Sequence, residues 1–186
     1  MFRLIVAFTA VLAVLNSTNL TAAEEAQSDP VSVVKRLFEA RNSANSDAAV
    51  GLFAVDGEII NVVGARFAGR DDIKKFITAG IAQKGRYDLE EIGSVGGTVT
   101  WTDLVTNPLY EKLGISPVQV AGQAVVHEGR IRSFITHFPP YSLAKFEQVC
   151  EPACEVAKAD GVLIVGLLCP QFLRSAKAQM RSARTP

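Results

Sequence analysis

Between Thr98 and Phe138 apolar and polar residues alternate with a period of two, the signature of strands with one covered face. The alternation predicts three long strands, Thr98–Asn107, Val118–Glu128 and Arg130–Phe138. In the first, Val99, Trp101, Asp103 and Val105 share a face, and Thr98, Thr100, Thr102, Leu104 and Thr106 take the other. A carboxylate therefore stands in an apolar row, where it is expensive unless something pairs with it or its titration shifts.

Upstream the period becomes helical. Asp29 and Pro30 open a first helix as N-cap and first-turn proline, and Val31, Val34, Leu37, Phe38 and Arg41 form its stripe. The polar Asn42–Asn45 turn ends it, and Ser46 is placed to cap a shorter helix, Asp47–Ala54. Asp56-Gly57 reads as a turn before a strand at Glu58–Val63, with Ala65–Ala68 as its hairpin partner across Gly64. A third helix starts at Gly69 with Asp71 and Asp72 on its positive end. It buries Ile73, Phe76, Ile77, Gly80 and Ile81, and Lys84-Gly85 closes it. Tyr87–Ile92 is a further strand, and Gly93–Gly97 turns the chain into the central sheet. Pro108–Pro117 is a longer connection with a helical turn at Leu109–Leu113, and Glu128-Gly129 makes a tight hairpin. Pro139-Pro140 ends the last strand, and Tyr141–Cys150 reads as a helix that stops at Pro152. Helices grouped ahead of a run of antiparallel strands predict an α+β domain with helices on one sheet face.

The N-terminus changes the expected compartment. Arg3, the apolar run Leu4–Leu15 and the small, polar Asn16–Ala23 fit a secretory signal cleaved after Ala23. The run is short for a membrane span, so an uncleaved anchor fits less well. The expected plan is a signal peptide at 1–23, a linker at 24–29, a domain at 30–150 and a C-terminal extension at 151–186, with a secreted or periplasmic location. Charge is uneven within the 186 residues. Residues 24–169 hold all 19 acids and 14 of the 19 bases, a net of −5, and the tail from Pro170 carries four bases and no acid. An acidic body argues against nucleic acid as a partner. Arg174, Lys177, Arg181 and Arg184 recur at helical spacing, which suits either a solvated terminal helix or weak contact with an anionic membrane surface.

Export permits disulfides, and Cys150, Cys154 and Cys169 leave one thiol over. Cys154–Cys169 is the easier bridge, because Cys150 and Cys154 on one helix face are poorly aimed at each other. Three thiols without a nearby histidine make a weak zinc site, so no metal is expected.

Asp103 is the leading candidate for chemistry, as an acid or base whose pKa burial raises. A structural carboxylate at the sheet edge, bonded to backbone or arginine, is the alternative that strand parity leaves open. His137 is the second catalytic candidate, although parity groups it with Ile131, Ser133 and Ile135, opposite Phe134, Thr136 and Phe138. Trp101, Phe134 and Phe138 are core residues that can also line a cavity, with Thr136, Tyr87, Gln123 and Tyr141 as polar groups able to orient a ligand. His127, beside the hairpin turn, is expected in solvent.

The first-helix stripe, Asp47–Ala54 with Asp56-Gly57-Glu58, Gly69-Arg70-Asp71-Asp72-Ile73 and Gly129-Arg130-Ile131 resemble the nuclear transport factor 2-like superfamily, within it the SnoaL-like polyketide cyclase group. The likeness spans roughly residues 30–148. It implies a cone: a curved antiparallel or mixed sheet wrapped around the N-terminal helices, with an apolar cavity at the open end, the cystatin-like roll. It also implies homodimers through the outer sheet face. Relatives include ketosteroid isomerase, scytalone dehydratase, limonene-epoxide hydrolase and binding modules without catalysis, so the fold does not select a function. The epoxide hydrolase pattern would fall on Trp101, Asp103 and Thr136, where only Asp103 matches. The expected function is an exported domain that binds a small apolar molecule without a cofactor. An isomerase, lyase or cyclase using Asp103, and a protein- or membrane-interaction module, are the alternatives.

Overall fold

The computed structural model describes residues 29–159 and residue 178, with the backbone alone over 150–159. The segment expected to be a signal, the linker before Asp29, the basic residues of the tail and the cysteine side chains lie outside the described residues.

Three helical segments precede and interrupt the sheet. α1 is Pro30–Asn42, with Asp29 accepting hydrogen bonds from the Val31 and Ser32 amides. α2 is Ser46–Gly51, shorter than predicted, and its cap is Asn45, whose Oδ1 accepts from the Ala48 amide at 3.0 Å. α3, Gly69–Ala82, has no side-chain cap, and Asp71 and Asp72 in its first turn offset the helix dipole instead. The strands are β1 (Phe53–Ile60), β2 (Arg66–Ala68), β3 (Arg86–Val95), β4 (Thr98–Thr106), β5 (Val118–His127) and β6 (Arg130–His137). They form one sheet in the order β2-β1-β6-β5-β4-β3, with β1 and β6 parallel and the other neighbours antiparallel. The one-turn α4, Pro108–Lys112, fills the β4–β5 connection. α5 runs from Pro140 to Ala159, past Pro152, where the sequence predicts a helix end. A proline removes one helical hydrogen bond, which kinks a helix without having to end it.

Irregularities in pairing bend the sheet. The predicted Asp56-Gly57 turn lies inside β1, at a register shift between Phe53 and Glu58. A Cβ on Gly57 would come within 2.9 Å of the Ile131 carbonyl oxygen, so turn-type residues here serve a bulge, not a reversal. Further shifts lie in β3 between Leu89 and Glu91 and opposite β6 between Val125 and Val126. The last one overturns strict parity. Val126 faces Ile131 while Val125 faces Ser133, so Ile131 joins Phe134 in the core instead of His137 outside.

The core has two parts. The larger cluster packs α1 (Val33, Val34, Leu37, Phe38) and α3 (Ile73, Ile77) against Val99, Trp101, Ile131 and Phe134 of the inner sheet face. The second gathers Val105, Val118, Val120 and Phe138 of the sheet under Leu143 and Phe146 of α5 and Ile115 of the β4–β5 connection. A cavity lies between them.

Candidate functional site

The cavity has a volume of about 270 Å³, just under the range of about 300–1,000 Å³ typical of drug-sized ligands. Phe38, Phe76, Val105, Val120, Phe134, Phe138 and Phe146 make its apolar wall. Its polar groups include Asp103 of β4, Arg41 and Tyr87 of the α1–β3 junction, Asn107 and Tyr110 at α4, Thr136 of β6, and Asn61 and Gln83.

From β4 comes Asp103. Alternation holds along this strand: Val99, Trp101, Asp103 and Val105 are buried, and their neighbours face outwards. Asp103 is 2% exposed. The Trp101 indole N–H donates to its Oδ1 at 3.0 Å, and among the described residues the carboxyl receives no other hydrogen bond and no salt bridge. Burial pushes its pKa up to about 7, against the pull of the Arg41 guanidinium and the Trp101 hydrogen bond, with a small upward push from Glu90. The geometry of the donor depends on Gly122. A Cβ there would lie 2.1 Å from the Trp101 ring, so only glycine on β5 lets the indole lie flat across the sheet and reach Asp103.

The α1–β3 junction supplies Arg41 and Tyr87. Asn42, the last residue of α1, clamps the Tyr87 backbone: its Nδ2 donates to the Tyr87 carbonyl at 2.8 Å and its Oδ1 accepts from the Tyr87 amide at 2.9 Å. The Tyr87 ring then carries the Arg41 guanidinium 3.7 Å from its centroid, with the Phe38 ring 5.9 Å away. Gly80 and Gly85 leave room for the phenol, since a Cβ at Gly85 would lie 2.9 Å from its hydroxyl oxygen.

At α4, Asn107 is the N-cap, accepting from the Tyr110 amide at 2.8 Å, and Tyr110 packs edge-on against Phe146 at 5.6 Å. Burial, aided by Tyr87, drives the Tyr110 phenol well above its ordinary pKa, so it stays protonated at neutral pH.

Of the residues singled out from sequence, Asp103, Tyr87, Phe134, Thr136 and Phe138 all line this cavity, and Trp101 sits behind Asp103. Two do not belong. Gln123 is exposed and pairs with Thr100 and Ile135 on the outer face, because it falls one residue out of phase with Gly122. His137 also lies on the outer face, opposite Ala121, where partial burial lowers its pKa, and it does not line the cavity. Tyr141 and His127 are exposed. Sequence reasoning missed Arg41, Asn107 and Tyr110 as cavity residues. Arg41 had a signal, being a cation inside the apolar stripe of α1. Asn107 and Tyr110 look like ordinary cap and turn residues.

No family model matches the chain, and no curated protein is detectably similar in sequence. Solved structures are similar in fold. A candidate polyketide cyclase from Sinorhizobium meliloti is 22% identical with a TM-score of 0.51, over 57% of this chain and 94% of its own. A nuclear transport factor 2-like protein of unknown function from Cytophaga hutchinsonii is 16% identical with a TM-score of 0.51, over 63% and 96%. The chain has the nuclear transport factor 2-like fold. A Catenulispora acidiphila protein with a ketosteroid isomerase-like fold, solved with trimethylamine, shares it at 22% identity and a TM-score of 0.51, over 61% and 90%. Within the nuclear transport factor 2-like fold the six-stranded sheet is open, and the cavity described above lies on its helix-covered side.

Proposed function

We propose that the domain is a proton-transfer enzyme, of the isomerase, lyase or cyclase kind, acting on a small, largely apolar carbonyl compound with Asp103 as general acid and base. The observation that carries this reading is a buried carboxyl in an apolar cavity, paired with no cation among the described residues and titrating near 7. A group balanced at neutrality both accepts and returns a proton readily, which is the condition for efficient general catalysis. Trp101 engages Oδ1 and steadies the charged form, leaving Oδ2 as the atom to meet substrate. The signal-like segment at 1–23 supports an exported location, and dimerisation through the outer sheet face is part of the same proposal.

The test is α-proton exchange. Wild-type protein in deuterated buffer is given apolar enolisable ketones such as 2-tetralone, and loss of the α-proton signal is followed by NMR. Exchange well above buffer that drops by about 10²-fold or more in Asp103→Asn supports the reading. Exchange at the buffer rate in the wild type removes catalysis and leaves a ligand-binding domain, the reading that the apolar cavity supports by itself, and fast exchange that is equal in both proteins removes Asp103 as the acid and base.

A further inference from the structure

We infer that Arg41 makes the cavity selective for an apolar molecule carrying one oxyanion, a carboxylate or the enolate oxygen of a carbonyl, which docks on the guanidinium. This deepens the proposed function, from which it takes the cavity as the binding site.

Among the described residues Arg41 is the cation of the cavity wall, and no carboxylate lies within salt-bridge distance of it. Its partners are rings. Tyr87 covers the guanidinium face at 3.7 Å and Phe38 lies at its flank, so stacking uses the π-face and leaves the N–H edge, where the five donors lie. That edge fits a carboxylate or enolate, not a neutral apolar group. A half-buried guanidinium beside phenylalanines is poorly hydrated, and an anion from outside would supply what the wall lacks. Asp103 acts on Arg41 through space, with no hydrogen bond or ion pair between them among the described residues.

The arrangement is also held in advance. Asn42 fixes the Tyr87 backbone from the residue next to Arg41, so the guanidinium, its aromatic support and the helix end form one rigid unit. An anion reaching Arg41 therefore does not have to order it first. With Asp103 on the inner sheet face and Arg41 on the helix side of the same cavity, a carbonyl compound bound between them would give its α-proton to Asp103 while charge gathers on the oxygen at Arg41.

The probe pair is cyclohexanecarboxylate and cyclohexanecarboxamide, alike in shape and different in charge. Binding is read by calorimetry and by the emission of Trp101, the single tryptophan in the chain. The wild type is expected to prefer the carboxylate by about tenfold or more, the scale of one charge-assisted bidentate contact. Arg41→Met, which keeps the apolar stem, should reduce the preference to within about twofold while holding the carboxamide affinity. Arg41→Lys should keep part of the preference, as a point charge without the fork. A wild type that binds both probes alike, binds neither, or a preference that survives Arg41→Met would overturn the inference. The two readings separate cleanly: carboxylate preference without proton exchange sinks only the catalytic proposal, and exchange without preference sinks only this one.

Discussion

At the scale of the residue, Asp103 decides most of what the molecule can do. Its folded pKa is raised, so the native state holds that proton more tightly than the unfolded chain does. The stabilisation is complete below the unfolded value near 3.8 and disappears as pH rises through about 7. Asp103→Asn removes this dependence. The melting temperature of the variant minus that of the wild type should therefore be more positive at pH 8 than at pH 5. The effect grows by about 1.4 kcal/mol for every tenfold by which the folded carboxyl binds its proton more tightly than the unfolded one. A flat difference would mean that the carboxyl is not buried as described. Trp101→Phe takes away the donor that favours the charged carboxylate, so the Asp103 titration, followed by carboxyl carbon NMR, should move to higher pH. Asp103 was legible in the sequence because its strand alternates without a bulge. Arg41 was visible as a misplaced charge, but its role needed Tyr87, a residue 46 positions away.

At the scale of the element, the site depends on how segments are joined. The Asn42 side chain replaces a missing stretch of ladder by pairing with both backbone groups of Tyr87. Asn42→Ala should lower stability by about 1–2 kcal/mol in urea unfolding, as expected for two modest hydrogen bonds, and should weaken any carboxylate binding in parallel. Stability lost without that effect would make the clamp purely structural. On β5, Gly122→Ala drives a methyl into the Trp101 ring. The indole must leave Asp103, so a change in tryptophan emission should accompany a loss of about 1–3 kcal/mol. Periodicity located nearly every helix and strand in this region. It failed at the bulges: Asp56-Gly57 carries turn chemistry that is spent inside β1, and Ile131 is on the side opposite to the one parity assigns it. A bulge depends on the partner strand, which local pattern does not contain.

At the scale of the whole molecule, the outline of the fold was legible because helices precede a run of strands with one apolar face. The cavity was not, because its wall draws on α1, α3, α4, α5 and four of the strands together. α5 contributes Phe146 to that wall, with its ring centroid 4.7 Å from that of Phe138. Phe146→Ala should lower stability by about 3–5 kcal/mol by thermal or urea unfolding, because the ring is fully buried. A much smaller loss would show that α5 is a removable cover.

The division of the interior into two apolar clusters has a further effect on motion. The cluster under α5 can loosen while the one around α1 and α3 stays closed, so the molecule has a natural line of opening that runs through the cavity. A bound molecule touches both sides of that line. Its presence should slow amide exchange mainly in α4, α5 and the start of β5, and hardly at all in α3, so that occupancy would be recorded as a seam drawn shut.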